Sequence, residues 1–220
     1  IGDTLRVHLF VYLDLLVPRH KQFRLAPQGT PLGRGRRLLS LVGGFSVPGS
    51  SDTAIFDGGS KKNCGIDILA SVAVATLEVG YDTGVVTINA DQSLATSGAL
   101  TIHGGAFDSN GQSLTVGSYS QDGGAFTAGA SAITSYGTFS VTGGTFTANS
   151  STITLDATSG DLSLIGNGYT FNNVIFKNNS AASARTITLG SAGSQTMNFG
   201  GYFYLNGANT QDLAVTAATH

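Results

Sequence analysis

The phrase Gly-Gly-Ala-Phe occupies residues 104–107, returns at 123–126, and recurs with Thr in place of Ala at 143–146. An interval of nineteen and then twenty residues is far longer than the period of a helix or a strand, and marks a repeated supersecondary unit. With Gly98, Gly117 and Gly137 as equivalent starts, the repeats read GALTIHGGAFDSNGQSLTV, GSYSQDGGAFTAGASAITSY and GTFSVTGGTFTANSSTITL. Three apolar columns then agree: Leu100, Tyr119 and Phe139; Phe107, Phe126 and Phe146; Leu114, Ile133 and Ile153.

Between these columns lie short alternating runs such as Leu100-Thr101-Ile102-His103 and Thr152-Ile153-Thr154-Leu155. A two-residue period places apolar side chains on one face and polar ones on the other, which predicts short strands. They are broken at Gly-Gly and at SNG, AGA and ANS, where corners are expected. Short strands at a twenty-residue period predict an all-β, parallel β-solenoid (β-helix), in which each coil buries its apolar face only by stacking on the next. Equivalent residues then lie in register at the strand spacing, so Phe107, Phe126 and Phe146 form an internal ladder.

A leucine-rich repeat shares this period but needs a helix-forming second half, whereas DSNGQS and TANSST favour turns and extended chain. An antiparallel sandwich is the other alternative. From Gly98 onward about six coils of roughly twenty residues are expected, the later ones less regular, and residues 66–89 read as degenerate earlier coils. The second coil is irregular, because Gln121 stands where Ile102 and Val141 face inward, and Ser135 where Val116 and Leu155 do. Either both polar groups are hydrogen-bonded inside or the register slips there.

Composition divides the chain. Residues 1–40 hold seven of the 11 Lys and Arg against two acids, which leaves four bases and eleven acids in 41–220. An acidic body argues against nucleic acid, whose phosphates demand clustered Lys and Arg. All four prolines precede residue 49, so the body is free of the residue that interrupts a central strand. The apolar run at 5–17 contains Arg6, His8 and Asp14 and falls short of the ~20 residues of a membrane span. RGRRLLSLVGGFSV from Arg34 has the basic start of an export signal but only a stub of its apolar core. The expected organisation is an atypical head over 1–42, disordered or foreign to the native protein, an entry segment with degenerate coils over 43–97, and solenoid repeats over 98–220, read as truncated at the C-terminus.

The repeats GTFSVTGGTFTANSSTITL and the entry VPGSSDTAIFDGG at residues 47–59 resemble bacterial β-helix surface proteins of the autotransporter-passenger and filamentous-haemagglutinin-like kind. The likeness runs from Val47 to the C-terminus. In similar proteins a Trp-containing segment often precedes this entry, and the chain has no Trp. The resemblance implies export from a bacterial cell to the surface or medium, a rigid stalk, and adhesion to host or environmental glycans or proteins. Uncapped solenoid ends add an expectation of end-to-end self-association.

No residue pattern specifies catalysis, a cofactor or a metal, and the chain is expected not to be an enzyme. The lone Cys64 allows no intramolecular disulfide. His103 is expected to stack on Asp122 and then Thr142, a surface ion pair rather than a proton-transfer dyad. Asp108, Asp156 and Asp161 are the carboxylates a polysaccharide-processing β-helix would use, but Asp108 aligns with Thr127 and Thr147, and DSNG reads as a corner. A Thr115, Thr134 and Thr154 file, with TIT again at 186–188, is the one feature that would suit an ice-binding solenoid. Asn149 and Asn178 fit a glycosylation acceptor pattern but are read as turns.

Overall fold

The computed structural model describes residues 49–56, 64–66, 72–80, 87–90, 93–158, 160–166, 168–179, 184–190, 196–207 and 213–217. The head at 1–42 and the side chain of Cys64 lie outside the described residues. Among the described residues there are eighteen strands and no helix, hence no helix long and apolar enough to cross a membrane.

The strands follow the chain coil by coil. β1 (Thr53–Phe56) and β2 (Cys64–Ile66) come first, then β3 (Val72–Val74), β4 (Thr76–Val79) and β5 (Thr87–Ala90). β6 (Leu94–Ile102) and β7 (Ala106–Asp108) form the next coil, and β8 (Leu114–Thr127) runs through a whole one. β9 (Ala132–Ser135) and β10 (Phe139–Thr147) follow, then β11 (Thr152–Asp156), β12 (Leu162–Ile165) and β13 (Thr170–Phe171). The last are β14 (Asn173–Asn178), β15 (Arg185–Leu189), β16 (Asn198–Phe199), β17 (Phe203–Gly207) and β18 (Leu213–Ala217).

Every pairing is parallel, and together they build three faces. The first face stacks β3, β6, β8, β9, β11, β14 and β17. The second stacks β1, β4, β6, β8, β10, β12, β15 and β18. The third stacks β2, β5, β7, β8 and β10, and β13 with β16 continues it as a separate ladder. The architecture is therefore the parallel β-solenoid that the repeat implied.

Each column of the alignment is a column in space: Leu100 pairs with Tyr119 and Tyr119 with Phe139, Phe107 with Phe126 and Phe126 with Phe146, Leu114 with Ile133 and Ile133 with Ile153. The rings of Phe107 and Phe126 stack with centroids 5.7 Å apart, and Phe126 lies 5.6 Å from Phe146. The file then extends to Phe171 at 5.4 Å and Phe199 at 6.4 Å. A second stack, Tyr119 over Phe139 at 4.3 Å, touches the first through Tyr119–Phe126 and Phe139–Phe146. Tyr119, Phe107, Phe126, Phe139 and Phe171 of these files are among the largest fully buried side chains of the described residues.

The register holds at Gln121 and Ser135, and the local shifts between β8 and β10 come only after Val141. Gln121 pairs with Ile102 and Val141 and is fully buried. Its Oε1 accepts from the Tyr119 hydroxyl at 2.8 Å, and its Nε2 donates to the carbonyls of Thr145 at 3.0 Å and Gly123 at 3.2 Å. Ser135 likewise donates to the Gly137 carbonyl at 3.0 Å. Satisfied in this way, the buried amide escapes the cost of an unpaired polar group. Burial also pushes the Tyr119 phenol well above its ordinary range, which keeps it the donor of that bond.

Coil length is less uniform than the repeat suggests. Successive second-face partners lie nineteen residues apart at Leu100–Tyr119, twenty at Tyr119–Phe139, twenty-five at Phe139–Leu164 and twenty-eight at Ile187–Val215. From Gly98 onward the strands therefore enclose about five turns rather than six. The added residues enter at the corner between first and second faces: Ile133 and Phe139 are six apart, whereas Ile153 and Leu164 are eleven.

The Gly-Gly phrase has a different reason for each glycine. The second takes a positive φ, 64° at Gly105, 59° at Gly124 and 76° at Gly144, which side chains disfavour. The first is a close approach, since a Cβ on Gly123 or Gly143 would overlap the carbonyl oxygen of His103 or Asp122 on the coil below. The opposite corner repeats a left-handed residue at Asn110, Gly129 and Asn149, with φ of 51°, 58° and 48°.

Two measurements check this fold. Phe126→Ala removes a middle rung and is expected to cost roughly 3–5 kcal/mol by chemical denaturation, whereas surface Thr134→Ala stays within about 0.5 kcal/mol. Gly123→Ala is expected to lower the midpoint sharply because the clashing atom is backbone. Gly160→Ala, with nothing within 4 Å of the added methyl, leaves it unchanged or raises it.

Candidate functional site

Polar side chains gather at two corners of the solenoid. The first lies between the second and third faces. His103 follows β6 and Asp122 lies in β8, and the coil stacking brings His103 Nδ1 to 2.7 and 2.9 Å from the two Asp122 carboxylate oxygens. The expected His–Asp contact is thus present, and the structure adds Glu78 of β4, whose Oε1 is 4.0 Å from His103 Nε2. Glu78 was not foreseen because it lies in a less regular coil, twenty-five residues before His103. Thr142 does not join: the register shifts between Val141 and Gly143, and its hydroxyl donates to the Gln121 carbonyl at 3.3 Å.

This imidazole sits between two carboxylates on neighbouring rungs. Asp122 is more than half exposed, so the pairing is screened by water and belongs with surface ion pairs worth ~0–1 kcal/mol. These contacts tie three successive coils together along one edge.

The second corner is the enlarged one between first and second faces. Asp156 ends β11 and is buried, with Oδ2 accepting from Asn179 Nδ2 at 2.8 Å and lying 3.6 Å from Lys177 Nζ on β14. Its Oδ1 is buried without a hydrogen-bond partner among the described residues. Asp161, across the same corner, accepts from the backbone N–H of Thr186 at 2.8 Å and so pins the start of β15. Asp108 lies on the third face, where its Oδ1 accepts from the Asn110 N–H at 2.7 Å and supports the left-handed corner. The three aspartates are thus occupied at separate points by contacts that shape the coil, and among the described residues no group of three or more His, Cys, Asp and Glu is arranged to hold a metal ion.

The threonine file is real but short. Thr115, Thr134 and Thr154 are in register, with Ala95 before them and Ile175 and Tyr204 after. The Thr186–Thr188 run lies in β15 on the second face and does not extend it. Asn149 occupies a corner as expected, but Asn178 is the buried last residue of β14, paired with Gly207, rather than a turn. Its place in the ladder was hidden by the longer coil that follows it.

Comparison with known proteins gives no match to any family model, curated protein or solved structure.

The two corners separate by burial. Asp156→Ala is expected to destabilise the fold by roughly 1–3 kcal/mol, since Asn179 and Lys177 lose their acceptor. His103→Ala is expected to change it by no more than about 1 kcal/mol. Urea titrations of both variants measure the difference.

Proposed function

We propose that the chain is a rigid, non-catalytic stalk segment of a secreted or surface-displayed bacterial protein, holding adhesive contacts to glycans or proteins away from the cell. The observation that supports this is the unbroken parallel stack. Seven rungs of the first face follow one another from β3 to β17 among the described residues, and at ~4.8 Å per rung they advance about 29 Å. A stack of this kind lengthens by adding coils and leaves its corners free to vary in length, which is where solenoids place contacts. The corner between first and second faces already varies, from six residues between Ile133 and Phe139 to eleven between Ile153 and Leu164.

Paired hydrogen bonds between coils also suit a load-bearing role. Pulling along the axis must open the ladder of each rung together with the aromatic contact beneath it.

A glycan array run beside a polysaccharide-degradation screen tests the reading. The expected outcome is no release of reducing ends or unsaturated sugars above buffer, with any glycan signal surviving prolonged incubation. Turnover of any polysaccharide, lost on mutation of a corner carboxylate, would replace the stalk with an enzyme.

A further inference from the structure

We propose that the chain cross-links itself: the Lys177 amine and the Asp156 carboxyl condense to an amide that joins two successive coils at the ends of β11 and β14. Asp156 and Lys177 are direct partners in the ladder between these strands, so the stacking register itself sets amine against carboxyl. The Asp156 side chain is withdrawn from water, only 8% exposed, and Lys177 Nζ lies 3.6 Å from its Oδ2. Charge-assisted hydrogen bonds run at about 2.7–2.9 Å, so this pair is desolvated without a close bond in return. Two strands hold the groups together, and an intramolecular pair so placed reacts far more readily than the same groups free in solution.

Asn179 distinguishes the two carboxyl oxygens. Its Nδ2 donates to Oδ2 at 2.8 Å, which makes Oδ1, buried beside it, the oxygen that departs. One proton passes from the ammonium to Oδ1, converting two opposite charges into a neutral amine and a neutral acid. The Nζ lone pair then attacks Cγ, and the negative charge gathering on Oδ2 meets the Asn179 N–H. A second proton moves from the nitrogen to Oδ1, the Cγ–Oδ1 bond breaks, and one water leaves. No other reactant is consumed. The amide keeps the Asn179 bond to Oδ2 and replaces a desolvated charge pair with a neutral group. This goes beyond the stalk reading, because it concerns the chain's own covalent structure and does not depend on what the chain binds.

Intact-mass spectrometry of the 220-residue chain, folded and then denatured, is expected to find it lighter than its sequence mass by one water. Trypsin locates the loss. No Lys or Arg lies between Lys62 and Lys177 or between Lys177 and Arg185, so an unlinked chain yields peptides 63–177 and 178–185. An acylated Lys177 resists the enzyme and leaves a single peptide, 63–185, lighter by one water. Lys177→Arg keeps a positive charge beside Asp156 but does not condense, and is expected to regain both the full mass and the cut after residue 177. Asp156→Ala is expected to regain them too, and a urea midpoint reports that the Lys177→Arg variant folds. A wild-type chain of full mass that is cut after Lys177, or a water loss that survives in Lys177→Arg, would overturn the amide. Loss of ammonia rather than water would place the bond at Asn179 and overturn it as well.

Discussion

The structure depends on parallel stacking in register. A single coil here has nothing to pack against: its strands are mostly three to five residues long, and its inward side chains would face an empty lumen. Placed on another coil, each strand completes a hydrogen-bond ladder and each inward ring meets its equivalent, as Phe107 does with Phe126. Backbone satisfaction and apolar burial are therefore gained in the same step, and neither is available without the neighbour.

That dependence explains where the chain tolerates departure. The lumen accepts a polar residue when its partners are built in, as with Gln121 between the Tyr119 hydroxyl and the Thr145 carbonyl. The corners accept extra residues because the ladder constrains only the strands, so the second-face interval grows from nineteen to twenty-five residues while Leu100, Tyr119, Phe139 and Leu164 all stay buried. Close approach is not negotiable in the same way. Gly123 and Gly143 lie against carbonyls of the coil below, and there the spacing between coils leaves no room for a side chain.

The same logic bears on function. Asp108, Asp156 and Asp161 support, respectively, a left-handed corner, a partly buried pair with Lys177 and the first residues of β15. His103 bridges carboxylates above and below it. These contacts serve the stack itself, in keeping with the proposed stalk.

Sequence alone determined the coil class, the three apolar columns and the positions of the corners, because over residues 98–155 the repeat is regular enough for equal spacing to mean equal position. It also placed His103 against Asp122. Tertiary structure decided what lay beyond that regular stretch: that Phe171 and Phe199 join the aromatic file across intervals of twenty-five and twenty-eight residues, that Asn178 is a buried rung, that Thr142 turns away, and that Glu78 reaches His103. The physical reason is that stacking is enforced by hydrogen bonds between strands rather than by chain length between them. Once corners vary, counting residues no longer says which one lies above another.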